Sequence, residues 1–100
     1  MSQNFAFSAY TPTVSAKVAY TGTHSGATAL PTGATRVAVK ATTDAYILFG
    51  SSSVATVTSS NGWRLTAGVA EVFDILPGVT HFDVVQDSSG GNLYYASVSG

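Results

Sequence analysis

His81 and Asp83 stand two residues apart in the run His81-Phe-Asp-Val-Val-Gln86, and on an extended strand residues i and i+2 share a face. Such a pair suits a metal ligand set, or a general base oriented by a carboxylate. The simpler reading is a solvated strand face beside a turn. The second histidine, His24, lies in a loop rich in Gly and Thr and reads as a polar loop residue. Thirteen serines, two histidines and four aspartates permit many Ser-His-Asp combinations on paper, but no G-x-S-x-G elbow frames one. Asp74, Asp83 and Asp87 are carboxylates close in sequence, yet their spacing is not that of a calcium loop. They read as charges balancing Arg36, Lys40 and Arg64. The glycines form neither G-x-G-x-x-G nor G-x-x-x-x-G-K, and no helix follows to receive a phosphate. The chain therefore reads as a non-enzyme, with no catalytic residue, cofactor or metal assigned.

The aromatic residues carry more. Trp63, Tyr94 and Tyr95 could stack on a sugar or anchor a protein interface, where aromatics are enriched. Tyr94 and Tyr95 are adjacent and must face opposite sides of a strand, so one is expected in the core and the other in a contact. Trp63 follows Asn61-Gly62 and reads as a cap over the end of a sandwich. Phe5 and Phe7 share one side near the amino terminus with period two, Tyr10 follows three residues on, and each buried phenylalanine is worth about 1.5–3 kcal/mol. They are expected to dock on the chain's own sheet or on another subunit. These six residues are the candidate interface.

The elements that must position them are strands. Thr35 to Ser99 alternates apolar and polar residues in short runs broken by turn residues every 8–12 positions or so, the pattern of a sandwich or small barrel. Arg36-Val-Ala-Val-Lys40 sends Val37 and Val39 one way and both cations the other. Tyr46-Ile-Leu-Phe49 is apolar on both faces and suits a central strand. Val54-Ala-Thr-Val-Thr58 is rich in β-branched residues and is expected as a strand. Asn61-Gly62 suits a two-residue hairpin turn into Trp63-Arg-Leu-Thr66. Glu71-Val-Phe-Asp-Ile-Leu76 and the strand with Phe82 and Val84 flank a Pro77-Gly78 corner that meets the type II requirement. Asn92 to Val98 forms the last strand. Asn4–Tyr10 and Val14–Tyr20 read as two earlier strands, and 21–33 as a loop. The expectation is one all-β domain, an antiparallel sandwich of jelly-roll-like form or a small barrel without substantial helix. Residues 1–34 would be an arm or first strands with a long loop, and 35–100 the strand-dense core.

Composition narrows the partners. Only 9% of residues are charged and the formal net charge is −1, which argues against nucleic acid, since phosphates call for a Lys/Arg excess. No cysteine is present, so neither a disulfide framework nor a cysteine zinc site supports the core, and the chain reads as made in a cytosol. The amino terminus lacks the basic and apolar regions of a signal peptide, and no run of 18 apolar residues suggests a membrane span. Ser and Thr make up 26 residues. An exterior of hydroxyls with few charges defends strand edges poorly against other chains, and reads as a surface meant to be covered by neighbours.

The runs Thr35–Gly50, with its A-T-T-D-x-Y-I-x-F-G strand pair, and Leu65–Asp87, with its A-G-V-x-E-x-F … P-G-x-T-H hairpin, resemble small all-β structural proteins of tailed bacteriophages. The resemblance covers the last two thirds of the chain. It implies a virion component made in the bacterial host cytoplasm: a cement or decoration protein on the outside of the capsid, stapling neighbouring major capsid protein subunits. It further implies a dimer or trimer at a local symmetry axis, with Phe5, Phe7 and Tyr10 reaching a neighbour. The alternatives are a tail, neck or head-fibre module, and a glycan-binding sandwich in which Trp63 and one of the two tyrosines stack on sugar.

Overall fold

A computed structural model describes residues 11–99. Among the described residues the alternating runs become eight strands: β1 (Thr11–Tyr20), β2 (Thr28–Ala29), β3 (Arg36–Ala41), β4 (Ala45–Gly50), β5 (Trp63–Leu65), β6 (Ala70–Asp74), β7 (His81–Gln86) and β8 (Gly91–Ser99). No helix occurs among the described residues. β1 pairs with β8, β2 with β7, β3 with β6 and β4 with β5, all antiparallel. The chain is thus a long ribbon doubled back on itself. Two further pairings, β3 with β8 and β4 with β7, gather the ribbon into two four-stranded sheets of order β1-β8-β3-β6 and β2-β7-β4-β5. This nested order is that of a jelly roll. Among the described residues the sheets remain open at their edges and do not close into a barrel.

Burial follows the period-two pattern. Val37 and Val39 on β3 and Leu93 on β8 turn inward from the first sheet, and Ile47, Leu65, Phe82 and Val84 meet them from the second. Four aromatic rings bridge the layers. Phe49 lies 5.1 Å from Phe73 and 6.4 Å from Phe82, and Phe82 stands edge-on to Tyr95 at 4.9 Å. β4 lies between β7 and β5, the interior place that its doubly apolar sequence suggests.

Three local expectations are corrected. The strands flanking Pro77-Gly78 do not form a hairpin: β6 belongs to the first sheet and β7 to the second. The turn itself forms, with Val79 N donating to Leu76 O at 3.1 Å and Gly78 at φ 91°, a value few residues with a Cβ adopt. It carries the chain between layers. Val54–Thr58 is not a strand, because its amides find side-chain acceptors: Val57 N donates to Asp83 Oδ2 at 3.0 Å and Thr58 N to Asn61 Oδ1 at 2.7 Å. Nor is Asn61-Gly62 a hairpin turn, since β5 pairs with β4 and Gly62 N closes back on Thr58 O at 2.9 Å.

Gly62 has no positive φ, so packing explains it. A Cβ there would lie 2.6 Å from Val57 Cγ2 and 2.8 Å from Tyr46 Cβ. Gly62→Ala should therefore cost about 1–3 kcal/mol, in the range of overpacked sites, read as a lower urea midpoint. An unchanged midpoint would show that the 51–62 segment lifts off the sheet without cost.

Candidate functional site

Of the six aromatic candidates, Phe5, Phe7 and Tyr10 lie outside the described residues, as does the expected strand Asn4–Tyr10. The other three separate. Tyr95 points inward against Phe82 and is a core residue. Tyr94 points outward from the first sheet and is 41% exposed, so the two tyrosines divide between core and surface as their adjacency requires. Trp63 stands on edge strand β5, 61% exposed, with Nε1 donating to Glu71 Oε1 on β6 at 3.3 Å. It bridges the two sheets along their shared edge. β3 and β6 lie between Tyr94 and that edge, roughly two strand spacings or 10 Å, so Trp63 and Tyr94 do not form one platform.

Two exposed apolar residues escaped the sequence reading. Val69 is 48% exposed in the turn between β5 and β6, and Leu76 is 68% exposed at the Pro77-Gly78 corner. With Trp63 they place three large apolar side chains in water along segment 63–76, Val69 just before β6 and Leu76 just beyond it, about 23 Å apart along an extended strand. Leu76 also lines a groove of about 510 Å³ at one end of the sandwich, with Leu30, Pro31, Ala34, Ile75 and Val79 among its walls. The available signal was Leu76 beside a turn-forming Pro-Gly, where no strand face exists to bury it.

The charged residues are arranged differently from expectation. His81 and Asp83 share a face, but that face is not solvated: Asp83 is 1% exposed. Its Oδ1 accepts from Gly26 N at 2.9 Å, Val84 N at 3.1 Å and Ser25 Oγ at 3.3 Å, and its Oδ2 from Val57 N at 3.0 Å. His24 Nδ1 lies 2.7 Å from Oδ2 and has no other polar partner. Asp83 thus pins two loops to the outer face of the second sheet. His81 turns instead to its neighbour, with Nδ1 2.8 Å from Thr80 Oγ1.

The remaining carboxylates balance cations. Asp74 meets Arg36 at 3.1 Å, and Arg64 reaches Asp44 at 2.8 Å and Asp87 at 3.1 Å. Hydrogen bonds to the Tyr46 hydroxyl and the Asp87 carboxylate raise the Arg64 pKa further, so this cross-link stays charged. Asp74, Asp83 and Asp87 are therefore dispersed, and among the described residues no three metal-ligating side chains gather. No helix among the described residues is long and apolar enough to cross a membrane. Comparison with family models, with curated proteins and with solved structures finds no match to this chain.

Proposed function

We propose that this chain is a structural protein of a tailed-bacteriophage virion: a cement or decoration protein that sits on the outer shell and staples neighbouring major capsid protein subunits. The observation that carries the reading is the set of exposed apolar side chains on segment 63–76. Trp63, Val69 and Leu76 stand in water there, and Leu65–Asp87, one of the two runs that carry the resemblance, supplies two of them. Side chains of this size gain about 1.5–3 kcal/mol each when covered, which gives a partner reason to bind. A rigid sandwich holds them in fixed relative positions and so lowers the ordering cost of binding. A dimer or trimer at a local symmetry axis would repeat these side chains and add avidity.

Cryo-electron microscopy of purified parent particles tests the location. Density of this size repeated over the shell supports the reading; density confined to the tail or neck replaces it with a fibre or tail module, and absence from the particle ends it. The contact itself is tested with shells lacking this protein. A Trp63→Ala, Leu76→Ser double variant should bind them on the order of 100-fold more weakly, since two side chains together supply about 3 kcal/mol. Its thermal midpoint should stay close to that of the parent chain, because both side chains are exposed. The glycan alternative predicts instead a signal on a glycan array that Trp63→Ala abolishes.

A further inference from the structure

The outer face of the first sheet presents an arrangement that the exposed apolar residues of segment 63–76 do not explain. Lys17 on β1 and Lys40 on β3 are the register partners of Tyr94 on β8. Directly paired residues point to the same side of a sheet, so Tyr94 stands between two ammonium groups. All three are exposed. The chain's net charge is −1, yet none of its five acids serves this row. Asp44 and Asp87 hold Arg64, Asp74 holds Arg36, Asp83 is buried against His24, and Glu71 receives the Trp63 indole. Residues 1–10 contain no Asp or Glu. Neither lysine forms an ion pair among the described residues.

The surroundings are small. Ala70 continues the same row on β6, and Ser15, Ala96 and Ala38 form the next. With Tyr94 and Lys40 they border a shallow hollow of about 150 Å³. That is below the roughly 300–1,000 Å³ of pockets that enclose small ligands. A flat face with one aromatic, two flanking cations and small residues around them has the composition of a protein contact, with Tyr94 as anchor and the lysines as steering charges.

We infer that this face docks a carboxylate-bearing protein surface, with acidic side chains of the partner received by Lys17 and Lys40 on either side of Tyr94. The inference rests on the assembly reading for the partner being a protein, and it adds a second contact with its own chemistry. Its test needs no virion. The full chain is passed over immobilised poly-L-glutamate at neutral pH and low ionic strength, with immobilised heparin in parallel.

The expected result is retention on polyglutamate that weakens as salt rises. A Lys17→Glu, Lys40→Glu variant should lose about tenfold or more of that retention, and Tyr94→Ala an intermediate amount. Circular dichroism and thermal melts check that each variant is folded. Should the double reversal unfold, Lys17→Gln with Lys40→Gln carries the same test with less repulsion. No retention of the parent chain, or equal retention of a folded charge variant, overturns the inference. Tighter, lysine-dependent retention on heparin than on polyglutamate also overturns it, assigning the face to a sulfated glycan. Failure here leaves the particle-location test intact, and absence from the particle leaves the polyglutamate result to be read on its own.

Discussion

Asp83→Ala is expected to destabilise the domain by about 3–5 kcal/mol, because it leaves buried amide donors unsatisfied at about 1–3 kcal/mol each. That is a large part of the roughly 5–15 kcal/mol available to a domain. The carboxylate accepts from the backbone at Gly26, Val57 and Val84, and His24 Nδ1 has no other partner. Alanine leaves the Gly26 and Val57 amides without that acceptor, while Val84 N keeps Ser25 Oγ at 3.2 Å. Asparagine has the same shape but does not rescue. If its NH₂ takes the Oδ2 position it faces Val57 N–H, and if the amide is flipped it faces Gly26 N–H. Each orientation places donor against donor, so Asp83→Asn should also cost more than about 2 kcal/mol. Urea unfolding measures both, and amide exchange at Val57 and Gly26 should quicken before global unfolding. A loss below about 1 kcal/mol for asparagine would show that the two loops are held by packing alone.

Phe82→Ala is expected to be comparably severe, about 3–5 kcal/mol. Phe82 is fully buried on β7 and touches the aromatic rings of both layers, Phe49 within its own sheet and Tyr95 across the core. Truncation opens a cavity between sheets whose strands are fixed by their ladders, so little collapse can fill it. Phe82→Leu separates the contributions. It keeps most of the volume and loses the ring contacts, worth about 0.5–1.5 kcal/mol per pair, and should fall between the parent and alanine. Thermal unfolding with near-ultraviolet circular dichroism reports both. If leucine and alanine were equally damaging, ring geometry rather than filled volume would hold the sheets together.

Asp83 and Phe82 also mark the boundary of what the sequence discloses. Period two places them on opposite faces of one strand, and that much is legible. It says nothing of what covers each face. Phe82 meets a second sheet, as its chemistry suggests. Asp83 meets two loops, and its partners Gly26 and Val57 lie 57 and 26 residues away, beyond any local pattern. The same limit explains the Pro77-Gly78 corner. Turn chemistry fixes the local backbone, and Gly78 adopts the positive φ expected of it, but pairing is decided by distant strands. β-branched Val54–Thr58 has strand propensity and no ladder, because Asp83 and Asn61 bind its amides first. β2, with two residues, is too short to leave a pattern. Among the contact candidates, adjacency alone showed that Tyr94 and Tyr95 must part. Which of them faces solvent depended on Phe82 across the core.

The nested pairing has a consequence for how the chain comes together. The sequence distance between paired strands grows from about 16 residues at Ile47 with Trp63 to nearly 90 at Thr11 with Ser99. Closing the widest loop from a disordered chain costs roughly 1.5 kcal/mol more than closing the narrowest, on logarithmic scaling. Once inner pairs have formed, that excess largely disappears, because each pair brings the next within reach. The topology therefore favours zipping outward from the β4–β5 turn, with β1 the last strand to join. Contacts dominated by distant residues place such domains among the slower folders, on the order of milliseconds to seconds. During that interval the long edge of β8 awaits its neighbour, and a second chain at high concentration can offer the same strand.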